Sequence, residues 1–309
     1  MDGLLIIDKP VGPTSHDVVA SVRRALGERR VGHTGTLDPM ASGVLPLVVG
    51  RATRLARFLS ASEKSYVALV RLGSETDSHD ADGQPVGDPY VGPMPDALAI
   101  ERAVDGFRGT FLQQPPIFSA KKIEGVRSHK LARKQRSVAG GDTAPPEPSP
   151  APRPVSVTVS DLQVVRTTGA EVELALTCSA GFYVRALAHE LGRRLGTGAH
   201  LAALRRTRAG DLRLEDAIAL ESIVGQAGAA ASSIVPMGRM LTTLPAAALS
   251  DEGVRRARHG RSLGQQDFCA PLPLAAPGFT RLLDPTGDLV GVAEPIGDAG
   301  ALHPVVILM

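Results

Sequence analysis

A mixed α+β fold with a second, smaller β-rich unit is the architecture this sequence predicts, and three observations predict it. Short apolar runs bounded by glycine or proline, at Gly3–Asp8, Val44–Val49 and Lys64–Gly73, have the length and borders of buried strands. Two segments repeat apolar residues at helical spacing, Val18, Val19, Val22 and Leu26 in the first and Leu187, Leu191 and Leu195 in the second. After about Leu244 the pattern changes to short strands and turns, which sets a small tail apart from a large first domain. A chain of 309 residues has room for both cores.

Composition narrows the function classes. An apolar content of 43% is ordinary for a globular protein. The net charge of +2 is only mildly basic, so an argument for nucleic acid must come from where the charges sit. Cys178 and Cys269 are far apart and form no metal-ligand spacing, which speaks against a disulfide framework or a zinc site and fits a reduced compartment. The N-terminus MDGLLIIDKP lacks the basic region and apolar length of a signal peptide, and no apolar run reaches a membrane span, so the expected address is the cytoplasm.

Taken in order, the strand Gly3–Asp8 ends in Lys9-Pro10, and Thr14 or Ser15 then caps a helix that Gly27 stops. Lys9 reads equally as a phosphate contact or as a strand-end charge. Next comes GHTGTLDPMASGVLPLVVG, residues 32–50, in which a turn-rich polar loop is anchored on the apolar strand Val44–Val49. Its one acid, Asp38, is either the carboxylate of an Asx turn or a lone nucleophile or base. The DKTGT phosphoaspartate motif is excluded because Gly32 stands where that aspartate would be, and a P-loop is excluded because no Gly-Lys-Ser/Thr follows. Arg51–Leu59 reads as helix and Lys64–Gly73 as a central strand in which Tyr66 is either a core residue or a site residue. The acidic turn Glu75–Gly83 lacks EF-hand spacing and reads as a polar loop. Between Lys121 and Arg136 seven Lys/Arg face one acid, a solvated face or a phosphate-binding segment. Residues 138–154, with six prolines from Pro145 to Pro154, read as a flexible connector. Two alternating strands begin at Val155 and Val172, Gly181 breaks the second, and Phe182–Leu195 is helical. AHLAALRRTRAGDL reads as a further helical stretch.

Four ordered blocks, residues 3–15, 32–50, 64–83 and 178–212, resemble the TruB-type tRNA pseudouridine synthases. Residues 32–50 are similar to that family's GHxGxLDPxAxGxLP, Lys64–Gly73 to its KxYxxxxxLG, and 178–196 to its CSxGxYIRxLxxDLGxxLG. The resemblance implies a pseudouridine-synthase catalytic domain over 1–240, with a central, largely antiparallel sheet flanked by helices, a basic RNA-binding insertion at 107–136, and a PUA-like β-barrel over 244–309. It implies Asp38, Tyr66 and Arg185 as the catalytic set. Asp38 would be the essential carboxylate, oriented by Arg185, and Tyr66 would stack on the base and assist proton removal. His33, Tyr183 and Leu204 would shape the base pocket, and Lys9, Lys64, Lys122 and His129 would contact the RNA. His129 stands where the family carries tyrosine.

The implied reaction converts uridine to pseudouridine at position 55 in the T-loop of tRNA, on a uridine extruded from the loop. It breaks and remakes one bond to the ribose without redox change or hydrolysis, so no cofactor and no metal are expected. The expected partner is the tRNA T-stem-loop, with no membrane and no obligate protein partner, the enzyme acting as a monomer. A noncatalytic RNA-binding protein, or a synthase serving an RNA-guided particle, is the rival reading. Retention of Asp38, Tyr66 and Arg185 together speaks against the first, and the lack of long basic tails against the second.

Overall fold

The structure is a computed structural model that describes residues 1–118, 122–123, 126–127, 152–223, 227–270, 278–297 and 300–308. In chain order the strands are β1 (Gly3–Lys9), β2 (Val31–His33), β3 (Ala41–Val49), β4 (Lys64–Leu72), β5 (Glu75–Thr76), β6 (Pro85–Val86), β7 (Gly109–Gln113), β8 (Lys122–Ile123) and β9 (Val126–Arg127). They continue with β10 (Val155–Thr168), β11 (Glu171–Cys178), β12 (Ala199–Ala209), β13 (Leu212–Arg213), β14 (Ile218–Ala219), β15 (Ala246–Ala248), β16 (Thr280–Leu283), β17 (Leu289–Ile296) and β18 (Ala301–Ile307). The main helices are α1 (Ser15–Leu26), α2 (Ala56–Ser60), α3 (Ala97–Asp105), α4 (Val184–Leu195), α5 (Ala227–Ser232) and α6 (Asp251–Arg258). No helix among the described residues is long and apolar enough to cross a membrane.

The chain forms two compact units, one of Asp38–Val44 with Ser62–Leu214, the other of Met1–Leu37, Leu45–Ala61 and Glu215–Met309. In the second of these, α1 begins at a capping box in which the Thr14 hydroxyl accepts from the Asp17 N–H and the Asp17 carboxylate accepts from the Thr14 N–H. It ends at Gly27 in the left-handed conformation, as the sequence expects. Ser15 is buried and ties the helix start to the loop before Asp38, donating to the Leu37 carbonyl and accepting from the Leu37 N–H. The C-terminal part is a four-stranded sheet in the order β15-β16-β17-β18. Leu249, Val254, Leu263, Phe268, Leu282, Val290 and Leu302 form its core, and this small sheet fits the PUA-like fold expected of the tail.

The other unit is built on the sheet order β12-β4-β11-β10-β7, antiparallel throughout, with the Ala41–Gly43 part of β3 added in parallel to β12. The fold is therefore α+β with a largely antiparallel sheet, as expected. Alternation is clean in β11, where Val172, Leu174, Leu176 and Cys178 point to the core.

One expectation is corrected. The AHLAALRRTRAGDL segment is not helical: its Ala199–Ala209 part is strand β12, held between β3 and β4. The cause lies in a bulge. Leu201 pairs with Val70, Ala203 with Leu69 and Leu204 with Ala68, so Ala202 is an extra residue in the ladder. Leu201 and Leu204 are thereby separated by two ladder positions, not three, and share a face, which imitates the helical spacing in the sequence.

Candidate active site

Asp38 follows the loop after β2, and the Ala41 N–H donates to its carbonyl at 3.0 Å, a tight turn that delivers the chain into β3. Its side chain keeps 38% of its surface open, and its Oδ2 lies 3.0 Å from the Arg185 Nε. Arg185 stands in the first turn of α4 and is itself buried. The helix start has no side-chain cap of its own. Instead Gln113 on β7 grips Tyr183, its Oε1 accepting from the Tyr183 N–H at 2.8 Å and its Nε2 donating to the Tyr183 carbonyl at 3.0 Å.

The guanidinium of Arg185 is also held on the side away from Asp38. Nη1 donates to the Ser78 carbonyl at 3.1 Å and lies 3.4 Å from Asp80 Oδ2, and Nη2 donates to the Phe118 carbonyl at 2.9 Å. Asp80 is buried, its Oδ1 accepting from the Ser78 hydroxyl and from the Asp82 N–H. A buried cation thus stands between a half-open carboxylate and a buried one, with every partner fixed by the fold.

Tyr66 lies on β4 directly opposite Arg206 of β12 on one side and Leu176 of β11 on the other. Burial raises the pKa of its phenol, opposed by the charge of Arg206 and a hydrogen bond from it, while the Asp38 charge nearby raises it further. Arg206 is 1% exposed, and its Nε donates to the Val44 carbonyl at 2.6 Å, so it ties the strand leading from Asp38 to the strand carrying Tyr66. Leu204, buried, lies on the same face of β12 as Arg206. Lys64 is buried with its Nζ on the Ser62 carbonyl, and its pKa is pushed down to about 8 by burial and then by Arg206. The Cys178 thiol, buried on β11, is pushed up to about 12 by burial, which leaves it inert.

The close approach of β3 to β12 depends on Gly43. Its φ is +100°, and a Cβ there would stand 2.1 Å from the Arg206 carbonyl oxygen. Gly43→Ala is expected to cost about 2–6 kcal/mol, from backbone strain plus overpacking. Urea unfolding would read this as a lower midpoint with an unchanged slope, and a midpoint equal to that of the wild type would refute so tight a packing.

Of the residues named from the sequence, Asp38, Lys64, Tyr66, Tyr183, Arg185 and Leu204 belong to one unit, and Asp38 and Arg185 are in direct contact. Lys9 and His33 belong to the other. Lys9 is fully buried with its Nζ donating to the Pro10 carbonyl at 2.8 Å, and the His33 ring packs edge-on against His16 at 5.2 Å. Of Lys122 only the backbone, in β8, is described, and His129 lies outside the described residues. Among the described residues no cluster of three or more His, Cys, Asp or Glu could hold a metal ion.

Comparison with known proteins gives the arrangement its family. Residues 23–184 match the model of the TruB family pseudouridylate synthase N-terminal domain, and residues 185–242 that of the tRNA pseudouridylate synthase B C-terminal domain. The chain belongs to the TruB family of pseudouridine synthases. It is 41% identical to the tRNA pseudouridine synthase B of Solibacter usitatus over the whole of both chains. It is 40% identical to that of Geobacter sulfurreducens, over 96% of this chain and 94% of the relative. Among solved structures, an H/ACA RNP bound to a substrate RNA containing 2'-deoxyuridine aligns with TM-score 0.72 and 26% identity, covering 99% of this chain and 85% of that one. A Cbf5-Nop10-Gar1 complex aligns with the same score and coverage.

Two groups in this TruB-family site escape a reading of the sequence. Asp80 sits in the acidic turn that reads as a solvated loop, yet it is 5% exposed and 3.4 Å from Arg185. No sequence signal marks it: Ser78, Asp80 and Asp82 form a self-bonded turn, and which way that turn faces is set by tertiary packing. Arg206 stands in the basic run Arg205-Arg206-Thr207-Arg208, where the sequence alone gives no reason to single it out. Its neighbours do differ from it: Arg205 reaches Ser42 and Arg208 reaches Ser65, both partly exposed. A strand reading would have separated Arg206 from Arg205, because Leu204 and Arg206 then share the inner face, while Arg208 is set apart by a second bulge between Arg206 and Arg208.

Proposed function

We propose that this TruB-family enzyme isomerises uridine to pseudouridine at position 55 in the T-loop of tRNA, with Asp38 as the essential group on a flipped-out uridine. The observation that carries the reading is the Asp38–Arg185 contact of 3.0 Å, in which a half-open carboxylate is held by a buried cation with Tyr66 nearby. In the reaction the bond from C1′ to N1 breaks, the uracil turns, a bond from C1′ to C5 forms, the C5 proton leaves and N1 takes up a proton in its place. Every atom and electron is conserved. Asp38 attacks the ribose or deprotonates it, Arg185 aims its oxygens, and Tyr66 stacks on the turned base and assists loss of the C5 proton. Extrusion of the uridine costs a few kcal/mol, which contacts to the T-stem-loop offset.

We assign the catalytic role to residues 1–240 and tRNA binding to both this part and residues 244–309, the enzyme acting alone as a monomer in the cytoplasm. Names of the curated relatives, all tRNA pseudouridine synthase B, support tRNA as the substrate. The test is pseudouridine mapping on an unmodified tRNA transcript incubated with the protein. Product confined to position 55 is the expected result. A folded protein that binds the transcript yet leaves no pseudouridine would overturn the enzymatic reading, and product at another uridine would overturn the site.

A further inference from the structure

Behind the Asp38–Arg185–Asp80 array, the rings of His79 and His189 stack face to face, with centroids 3.9 Å apart and planes 3° from parallel. His189 is one helical turn beyond Arg185 on α4, and His79 adjoins Asp80 on the turn that Arg185 grips through Ser78 and Asp80. The stack is thus a second attachment of the same turn to the same helix. Holding it has costs. His79 has φ +64°, one of two non-glycine residues with positive φ among those described. Both Nδ1 atoms are buried without a hydrogen-bond partner, the one on His189 lying 3.9 Å from Glu75 Oε2. Backbone on either side is ordered by the turn, since the His79 N–H donates to the Thr76 carbonyl and the His79 carbonyl accepts from the Leu201 N–H of β12.

We propose that this stack is a proton-sensitive latch: while the His79 ring is neutral it holds the Asp80 turn against α4 and keeps Asp80 on the Arg185 guanidinium, and protonation of His79 releases the turn. The proposal rests on the reading that Arg185 serves Asp38. The groups acting on His79 are Asp77 on the turn and Arg185 and His189 on α4; around them, Asp80 lies 3.4 Å from Arg185, Glu75 lies 3.9 Å from the His189 Nδ1, and His200 on β12 is bonded through Nδ1 to the Ser74 carbonyl. Arg185 and the second imidazole oppose a proton on His79, and Asp77 favours one. Burial, with these two opposing groups, brings the His79 pKa down from 6.5 to about 4. The released turn takes a proton at the ordinary value and the latched one only near the lowered value. The latched state is therefore fully favoured above 6.5 and loses its advantage as pH falls from there toward 4.

Hydrogen exchange of the full-length protein, corrected for intrinsic rates, tests this without RNA. Opening of the amides at 77–83 and 201 is expected to rise about tenfold between about pH 7.5 and 5.5 in the wild type. In His79→Asn, which tolerates left-handed backbone and does not titrate, the rise should vanish. No rise in the wild type, or an equal rise in His79→Asn, would overturn the latch. On tRNA, His79→Gly, which suits the backbone and deletes the ring, is expected to lower kcat about tenfold with KM within twofold. An unchanged kcat in that variant would refute the positioning role. A wild type that does not modify tRNA would instead sink the functional reading, while the exchange experiment still decides the latch.

Discussion

Asp38→Asn is expected to abolish pseudouridine formation, lowering single-turnover rates by about 1000-fold or more, while affinity for the tRNA stays within about threefold of the wild type. The substitution preserves shape, and its amide oxygen still accepts from the Arg185 Nε that now lies 3.0 Å from the carboxylate. What is lost is the negative charge and its nucleophilic or basic oxygen. Because the Asp38 side chain is 38% open, loss of its ion pair should cost about 1 kcal/mol of stability or less. The variant is therefore expected to fold, and its inactivity to report on chemistry. Filter binding alongside product quantification separates the two, and a rate within tenfold of the wild type would remove Asp38 from the centre of the mechanism.

Arg185→Met is expected to lower turnover by about 100-fold and to cost about 3–5 kcal/mol of stability. The two losses have different origins. Stability falls because the buried Asp80 carboxylate, 5% exposed, loses the cation 3.4 Å away. Turnover falls because Asp38 loses the group that fixes its oxygens. Arg185→Met combined with Asp80→Asn takes away the stranded charge, so the double variant should regain most of the stability and little of the turnover. Paired urea unfolding and tRNA assays decide the matter. Recovery of both quantities together would reduce Arg185 to a structural prop.

Much of this was legible in the residues because strand and helix boundaries here are marked by strong local signals. Thr14, Asp17 and Gly27 bracket α1, and the alternation Val172, Leu174, Leu176 writes out β11. Asp38 and Arg185 could be paired on chemical grounds, since a lone catalytic carboxylate needs a cation, but only tertiary structure brings a loop and a helix start to 3.0 Å. Sequence pattern failed at β12 for a definite reason. A bulge at Ala202 changes which residues share a face, and no residue type announces it. That failure hid Arg206, whose value depends on facing Tyr66. Asp80 was hidden differently, because an acid in a polar turn looks the same whether the turn faces water or a buried guanidinium.

The contact between Arg206 and Val44 spans 162 residues of chain, and that between Arg185 and Ser78 spans 107. Asp38–Val44 joins the unit that holds Tyr66 and Arg185, although the chain on both sides of it belongs to the other unit. Closing loops of this length is entropically slow, and none of the site's electrostatics exists before they close. A nascent chain that has not yet emerged past Arg185 carries the Asp38 carboxylate without the cation that aims it. Catalytic competence in this protein thus waits on contacts between segments far apart in the chain.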